Sequence, residues 1–326
     1  MMYPELPDYQ HFYSNPIAKP PCRMLNAQMY GFFVQGEKGK IQTYVDDTLN
    51  SVPSSEFVFK ALSDWCLLTF TDIENIASKV PPFSEYGYMQ ETDIIVWLPI
   101  LQINLETLKA EHLYWYPAFI TVNNINALIN GREIWGYNKY LCRYEMPEHY
   151  GAPLNFSLSL DTFKEFNPNV KMDWHELLRI YPEDDGESWL KEVLEVGGEI
   201  AELFKESVSD LDVDSQFLKQ FLSGFTHPQM DQVLFKQFPD GLAEKSVYSA
   251  VVHSPSEVKK IHKIGFIKDD LCIELQRLDA FPLDKMFGIP LGKSEVKLPY
   301  FVKMDFDQAG VEELVSSAQS MANLHR

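Results

Sequence analysis

Lys139 is the residue of this chain whose surroundings best suit covalent chemistry. It ends the segment Gly-Arg-Glu-Ile-Trp-Gly-Tyr-Asn-Lys, with Trp135 and Tyr137 before it and Tyr140 directly after it. A lysine amine attacks a carbonyl carbon only as the free base, and in water at neutral pH this amine is almost entirely protonated. Burial among apolar side chains disfavours the charged form. The aromatic neighbours therefore predict a buried lysine amine that can form a Schiff base.

Other catalytic signatures do not occur in the sequence. It contains no G-x-S-x-G, no Walker A loop, no H-E-x-x-H and no G-x-G-x-x-G. Serine hydrolases, P-loop NTPases, zincins and Rossmann dehydrogenases are therefore disfavoured. The eight histidines do not cluster at ligand spacing, so neither a metal nor a cofactor is expected.

The segment around Lys139 resembles the acetoacetate decarboxylase family. That family's signature is an Asp/Asn-rich loop, a Gly-Arg-Glu strand and a lysine six positions after the glutamate, which corresponds here to Asn123-Asn124, a strand from Gly131 and Lys139. The stretch GYMQET at 87–92 is similar to the family strand that carries an active-site glutamate, which makes Glu91 the matching residue. The order of segments from 235 to 304 is also similar, so the resemblance covers about residues 24–306.

The resemblance implies an α+β, mainly antiparallel β-barrel or cone with appended helices, built as one domain over 1–326. It makes Lys139 and Glu91 the expected catalytic residues. Candidate substrate-binding residues are Tyr137, Trp135, Arg132 and Glu133. Because Arg132 and Glu133 are adjacent, a strand would point them to opposite faces, and both cannot enter one pocket.

Several positions depart from the family pattern. The family has a proline before and a second lysine after the reactive lysine, an arginine early in its first strand and a further glutamate after its first helix. The corresponding places here hold Asn138, Tyr140, Ala27 or Gln28 with Arg23 out of register, and Thr71. The reaction can therefore differ from that of the family's decarboxylases.

Three functions remain open at this point. The leading one is a lyase in which Lys139 condenses with a small, acetoacetate-like β-keto acid and the iminium accepts the electrons released with carbon dioxide. Glu91 would position the substrate or move a proton. A related alternative is a Schiff-base aldolase or dehydratase that acts on an α-keto acid such as pyruvate. The third is a non-catalytic β-cone that binds small molecules.

Hydrophobic patterning predicts the elements that position these residues. Alternating and apolar runs predict strands at 27–35, 41–45, 66–70, 87–103, 114–122, 140–144, 155–160, 233–238, 248–253, 273–278 and 301–304. Ser54, Ser55 and Glu56 resemble the start of a short helix with Phe57 and Trp65 on its inner face.

The stretch 174–225 has a different pattern. Apolar residues recur at helical spacing, and acidic residues occupy the positions between them. We expect an acidic helical insertion over 172–226, with a helix over 188–208 that covers either the mouth of the pocket or a second subunit. The N-terminal 22 residues are expected to form an arm.

Composition limits the partners. The chain has 47 acidic and 28 basic residues and a net charge of −19, which disfavours nucleic acid and anionic membranes. The longest apolar run, 94–103, is too short to span a bilayer. Residues 1–21 lack the features of a secretory signal, so a cytoplasmic protein is expected. The partners are then a small keto-acid substrate and further copies of this chain in a homo-oligomer.

The cysteines (Cys22, Cys66, Cys142 and Cys272) are widely spaced, which predicts free, buried thiols.

Overall fold

The structure, a computed structural model, describes residues 8–11, 18–183, 190–191 and 231–317. In these ranges sixteen strands are joined by hydrogen bonds into one sheet. In chain order they are β1 Cys22–Gln35, β2 Phe57–Ala61, β3 Trp65–Ser78, β4 Met89–Asn104, β5 Ala110–Val122, β6 Lys139–Glu145, β7 Phe156–Thr162, β8 Asp173–Pro182, β9 Leu190–Lys191, β10 Gln232–Pro239, β11 Ser246–Ser254, β12 Ser256–Ile267, β13 Leu271–Leu275, β14 Gly292–Glu295, β15 Lys297–Gln308 and β16 Glu312–Ser316.

The sheet is mixed but mainly antiparallel. Its main path runs β14-β13-β8-β7-β6-β5-β4-β3-β1-β15-β12-β9, with β2 added beside β4 and the group β10, β11 and β16 joined through β5. The pairs β5–β6 and β5–β10 are parallel. The two ends of the path do not pair with each other in the described ranges, so the sheet is open where a barrel or cone was expected. The mainly antiparallel β class with few helices is confirmed.

The long central strands are buried on both faces. In β4, Ile94, Val96 and Leu98 pack into one apolar cluster, whereas Ile95 and Trp97 pack into a second. Successive side chains of a strand point to opposite faces, so one strand contributes to both clusters. This explains why the sequence of β4 is an almost continuous apolar run rather than an alternating one.

The secondary structure of two short segments was predicted wrongly: the predicted strand is a helix, and the predicted helix is a strand. Residues 41–45, expected to be extended, lie in helix α1 Lys38–Asp47, where Ile41 and Val45 share one buried face. Residues 57–61, expected to be helical, form β2, which pairs with β4. The amide of Ala61 donates to the side chain of Gln42 at 2.8 Å. Polar side chains of α1 thus provide hydrogen-bond partners for the backbone of β2 on the edge that does not pair with β4. An edge strand has backbone groups that need such partners.

The remaining helices are short. They are α2 Ile125–Asn130, α3 Leu283–Met286, 3₁₀ turns at Leu49–Ser51 and Phe83–Glu85, and a π-helical turn at Gly131–Trp135. No helix among the described residues is long and apolar enough to cross a membrane. All four cysteines are buried and free.

The predicted helical insertion begins with a strand instead. Its first residues belong to β8, whose buried Leu177, Leu178 and Ile180 pack into the main core between β7 and β13. Of the helix expected over 188–208, only Leu190 and Lys191 are described, and their backbone pairs with β12 as β9. The rest of the insertion lies outside the described residues, as do residues 1–7 and 12–17 of the N-terminal arm.

Asp307 joins three parts of the sheet. It lies near the end of β15 and accepts hydrogen bonds from Arg23 of β1 at 3.0 Å and from Lys79, just after β3, at 2.5 Å. Its side chain is only 9% exposed. Burial by itself would raise the pKa of this carboxyl, but the two cations outweigh burial and hold the pKa below its usual value.

Asp307→Asn is expected to lower the free energy of unfolding by about 1–3 kcal/mol at pH 7, because hydrogen bonds to a charged group are lost. A carboxyl whose pKa is lowered by folding stabilises the protein above its unfolded pKa and stops doing so as the pH falls through its folded pKa. In urea titrations the difference between wild type and variant should therefore be full at pH 7 and shrink below about pH 4. Asp270→Asn, at an exposed position, is the control. A difference that does not change with pH would contradict this account.

Candidate active site

Lys139 is the first residue of β6 and is buried, with 7% of its surface exposed. Its strand pairs in parallel with β5, where Ile120 is its partner. Directly before it, α2 runs into the π-helical turn, which ends at Gly136 with a φ of 89°. The amides of Gly136 and Tyr137 both donate to the carbonyl of Gly131, at 2.9 and 3.0 Å. This closed turn fixes the point at which Lys139 enters the sheet.

The Gly-Arg-Glu segment is therefore a helical turn, and its assignment to a strand was wrong. The reason lies in the preceding loop. The Asn124 side chain accepts hydrogen bonds from the amides of Asn126 and Ala127, at 2.8 and 3.4 Å. An asparagine in this position caps and starts a helix, and that helix continues through Gly131.

The same asparagine loop is tied to the strand that carries Glu91. Asn123 accepts from the amide of Thr92 at 2.8 Å, and Asn124 donates to the carbonyl of Gln90 at 3.0 Å. Both backbone neighbours of Glu91 are thus bonded to the loop that leads to Lys139. The two predicted catalytic residues are distant in sequence, and this loop links the segments that carry them.

Glu91 and Lys139 form a buried ion pair. Glu91 is 5% exposed, and its Oε1 accepts a short hydrogen bond from the Lys139 amine. The expectation that the two side chains face one cavity agrees with this contact. A charged pair is costly to bury unless it is closely matched, so the pairing explains how both groups are tolerated inside the sheet.

The ion pair lies in a cavity of about 80 Å³. A water molecule requires about 10–15 Å³ of such space, so the cavity suits a molecule of about six non-hydrogen atoms. The apolar lining consists of Met24, Met29, Ile73, Ile95, Trp97, Ile120, Met304 and Phe306, and the polar lining consists of Thr71, Glu91, Asp93, Tyr137, Lys139, Gln232, Ser256 and Gln308. Lys139 is the only cation among these lining residues.

Polar residues missed by the sequence analysis complete the lining. The hydroxyl of Tyr137 donates to Gln232 and accepts from Gln308 at 2.5 Å, and Gln232 donates to Ser256 at 3.2 Å. Burial raises the pKa of Tyr137, so its hydroxyl stays neutral and can act as a donor. These glutamine and serine residues come from strands far away in sequence, and no local motif marks them.

Asp93 was also missed, although the sequence contained a signal for it. It stands two positions after Glu91, and side chains two apart on a strand share a face. The cavity lining follows this alternation through Glu91, Asp93, Ile95 and Trp97. Burial, followed by the charge of Glu91, raises the pKa of Asp93 to about 7.

Three of the expected substrate-binding residues do not line this cavity, and only Tyr137 does. The Trp135 indole donates to the carbonyl of Ala309 at 2.9 Å. Arg132 donates to the side chain of Asn138 and to the carbonyl of Lys139, at 2.7 and 3.2 Å. Glu133 accepts from the Tyr9 hydroxyl at 3.2 Å. These three side chains are thus engaged by other partners, and Arg132 braces the lysine backbone instead.

The residues at the positions that depart from the family pattern lie in different places relative to the cavity. Thr71 lines the cavity. Arg23 lies outside it, paired with Asp307. The hydroxyl of Tyr140, in place of a second lysine, donates to the carbonyl of Asp161 at 2.6 Å. A second amine is therefore absent from the described lining, and Tyr140 instead connects β6 to β7.

No group of three or more His, Cys, Asp or Glu side chains in the described ranges is arranged to hold a metal ion. A second, larger cavity of about 830 Å³ lies on the other side of the π-helical turn. It is bordered by Arg132, Glu133 and Tyr137. Tyr137 thus borders both cavities.

Comparisons with known proteins identify the fold. No protein-family model matches this sequence, and no curated protein does. The structure is similar to acetoacetate decarboxylase from Legionella pneumophila, with 9% identity over 96% of this chain and 94% of that one and a TM-score of 0.58. It is also similar to an acetoacetate decarboxylase-like enzyme from Sphingomonas wittichii, with 14% identity over 91% and 94% of the two chains and a TM-score of 0.54.

A third similar structure is MppR, an enduracididine biosynthesis enzyme, with 11% identity over 93% of this chain and 91% of that one and a TM-score of 0.51. These likenesses extend over nearly the whole of each chain. The chain therefore has the acetoacetate decarboxylase fold, as the resemblance around Lys139 implied.

Gly131 is expected to be essential for the position of the Lys139 amine. A Cβ added at Gly131 would lie 2.5 Å from Cδ and 2.7 Å from Cε of Lys139, and its φ of −59° suits alanine. Gly131→Ala should therefore fold normally but displace the amine, with at least about a tenfold loss of imine formation, as misplacement of a reacting group costs orders of magnitude. Gly39→Ala in α1, where a Cβ meets nothing within 4 Å, is the matched control. Unchanged imine trapping in Gly131→Ala would show that the amine does not depend on this contact.

Proposed function

We propose that this chain is a lyase that forms a Schiff base between Lys139 and a small β-keto acid and releases carbon dioxide. The observation that carries the proposal is the buried Lys139 amine, which faces a cavity of about 80 Å³ and contacts a carboxylate. A buried lysine amine beside a carboxylate is a typical nucleophile for Schiff-base formation. The shared fold is consistent with this chemistry.

The reaction begins when Glu91 takes a proton from the Lys139 ammonium group, which frees the amine to attack the ketone carbon. A second proton then passes from the attached nitrogen to the former ketone oxygen, and Glu91 returns its own proton to that oxygen, so that water leaves and an iminium forms. The iminium then accepts the electron pair of the breaking carbon–carbon bond, and carbon dioxide leaves. Protonation of the resulting enamine and addition of water release the ketone product and regenerate Lys139.

The lining of the cavity supports a substrate of few atoms. Its apolar residues suit the alkyl part of a short keto acid, and the hydroxyl of Tyr137, held between Gln232 and Gln308, borders the space for the substrate. The only cation in the described lining is Lys139 itself, and the iminium formed from it keeps a positive charge near the substrate carboxylate.

An α-keto acid is the second candidate substrate, for a Schiff-base aldolase or dehydratase. One of the similar structures, at a TM-score of 0.50 and 10% identity, is MppR complexed with pyruvate. Pyruvate has six non-hydrogen atoms, which also suits the cavity. A homo-oligomeric assembly and a cytoplasmic location stay predictions of the sequence.

Borohydride trapping tests the proposal directly. Incubation with acetoacetate or pyruvate and borohydride should alkylate the wild-type chain at Lys139, as located by peptide mass mapping, and release of carbon dioxide only from acetoacetate would select the decarboxylase. Lys139→Arg should give no adduct, because a guanidinium stays protonated and cannot form the imine. Lys60→Arg on β2 is the control and should trap as wild type does. A wild-type chain that forms no adduct with either acid would refute the enzyme and favour a binding protein.

Glu91→Gln is expected to reduce turnover by about 10²–10⁴-fold, the usual effect of removing a proton-transfer group. The amide has nearly the shape of the carboxylate but leaves Lys139 without a counter-charge, so the variant should keep the circular dichroism of the wild type and have a lower free energy of unfolding. Glu74→Gln, at an exposed position of β3, is the matched control and should keep full activity. Full turnover by Glu91→Gln would remove Glu91 from the mechanism.

A further inference from the structure

We propose that Asp93 is the general acid that delivers a proton to the enamine carbon after carbon dioxide has left. This inference rests on the proposed function and assigns a role to the one carboxyl in the cavity that the ion pair does not use. It makes Asp93 a catalytic residue distinct from Lys139 and Glu91.

The position of Asp93 follows from the register of two strands. Asp93 and Glu91 lie two positions apart on β4 and face the same cavity, and Thr71 is the partner of Asp93 on β3. Glu91 is engaged by the Lys139 amine. Asp93 therefore faces the reacting centre without a cation of its own.

The contacts of Asp93 favour its protonated form. Its Oδ1 is buried and has no hydrogen-bond partner in the part of the chain that the structure describes. An ionised oxygen in that position would lose its solvation with no compensation. In addition, a second carboxylate beside Glu91 is repelled, because one lysine can neutralise only one of them.

Some of the groups around Asp93 raise its pKa and others lower it. Burial is the largest influence and raises its pKa, as do the charges of Glu91 and Asp72, while Lys139 and the hydrogen bond from Thr71 lower it. Tyr137, which also faces the cavity, is neutral because burial raises its pKa. The net result is a pKa of about 7, which is suited to an acid that works near neutral pH.

The proton balance of the reaction requires such an acid. Loss of carbon dioxide from the iminium leaves a neutral enamine with a nucleophilic carbon. The O–H bond of Asp93 breaks, its proton bonds to that carbon, and the enamine becomes an iminium while Asp93 becomes a carboxylate. Water then adds to the iminium carbon, and the ketone leaves Lys139 as an ammonium group. Asp93 regains its proton from solvent, so one proton is consumed for each carbon dioxide released.

Acetone in D₂O offers a test that does not depend on the natural substrate. Lys139 forms an imine with acetone, and the carboxylate form of Asp93 removes an α-proton and returns a deuteron, so the wild type should exchange the methyl protons of acetone by NMR. Asp93→Asn should slow this exchange by about 10²–10⁴-fold and still be alkylated by acetone and borohydride. Asp270→Asn, at an exposed position outside the cavity lining, is the control and should exchange as wild type does.

The outcomes separate this inference from the proposed function. A wild type that is neither alkylated nor exchanges protons would refute both. A wild type that exchanges, together with an Asp93→Asn variant that exchanges equally fast, would refute the role of Asp93 alone. If Asp93→Asn does not fold, Asp93→Glu decides, because it keeps a carboxyl and should retain exchange above the level of an Asp93→Ala variant.

The pH profile gives a further readout that a structural role would not change. A general acid acts only while protonated, and protonation of the enamine follows the irreversible loss of carbon dioxide, so kcat for acetoacetate should fall as the pH rises above about 7. In Asp93→Asn the remaining activity should lack this fall. An identical profile in the wild type and the variant would contradict the inference.

Discussion

The contact between Lys139 and Glu91 is the interaction on which the rest of the site depends. Two opposite charges are buried inside a largely apolar sheet, where each would be strongly unfavourable without the other. Their pairing requires that β4 and the turn before β6 be held in a fixed relation. The asparagine loop provides that relation through hydrogen bonds to the residues on both sides of Glu91.

The π-helical turn has a second effect on this pair. Gly131 lies against the stem of Lys139 with no side chain between them, and the turn directs Arg132 and Glu133 to its other side. Lys236 donates to the carbonyl of Ile134 at 2.7 Å, which stabilises the turn from β10. Lys139 is thus positioned by backbone packing against Gly131 and by the hydrogen bonds that close the turn.

Both faces of the central strands are buried, and this places the cavity within the sheet. One face of β4 packs into the main core, and the opposite face provides Glu91, Asp93, Ile95 and Trp97 to the cavity. Apart from Tyr137, the residues that line the cavity lie on strands, so its other polar groups are held on rigid elements. Within so small a space, the carboxyls of Glu91 and Asp93 and the amine of Lys139 line one cavity.

The sequence by itself determined the β class, the chain positions of Lys139 and Glu91, and the apolar character of their surroundings. These follow from local residue type, from alternation along a strand and from the resemblance around one motif. Only the tertiary structure decided the form of the Gly-Arg-Glu segment, because helix initiation at Asn124 and the closure of the turn on Gly131 outweigh its strand-like residues. It also decided that Arg132, Glu133 and Trp135 do not line the cavity, and that Asp93, Gln232 and Gln308 line it together with the lysine. These side chains meet through the register of strands that are distant in sequence, and a pattern within one segment does not contain that register.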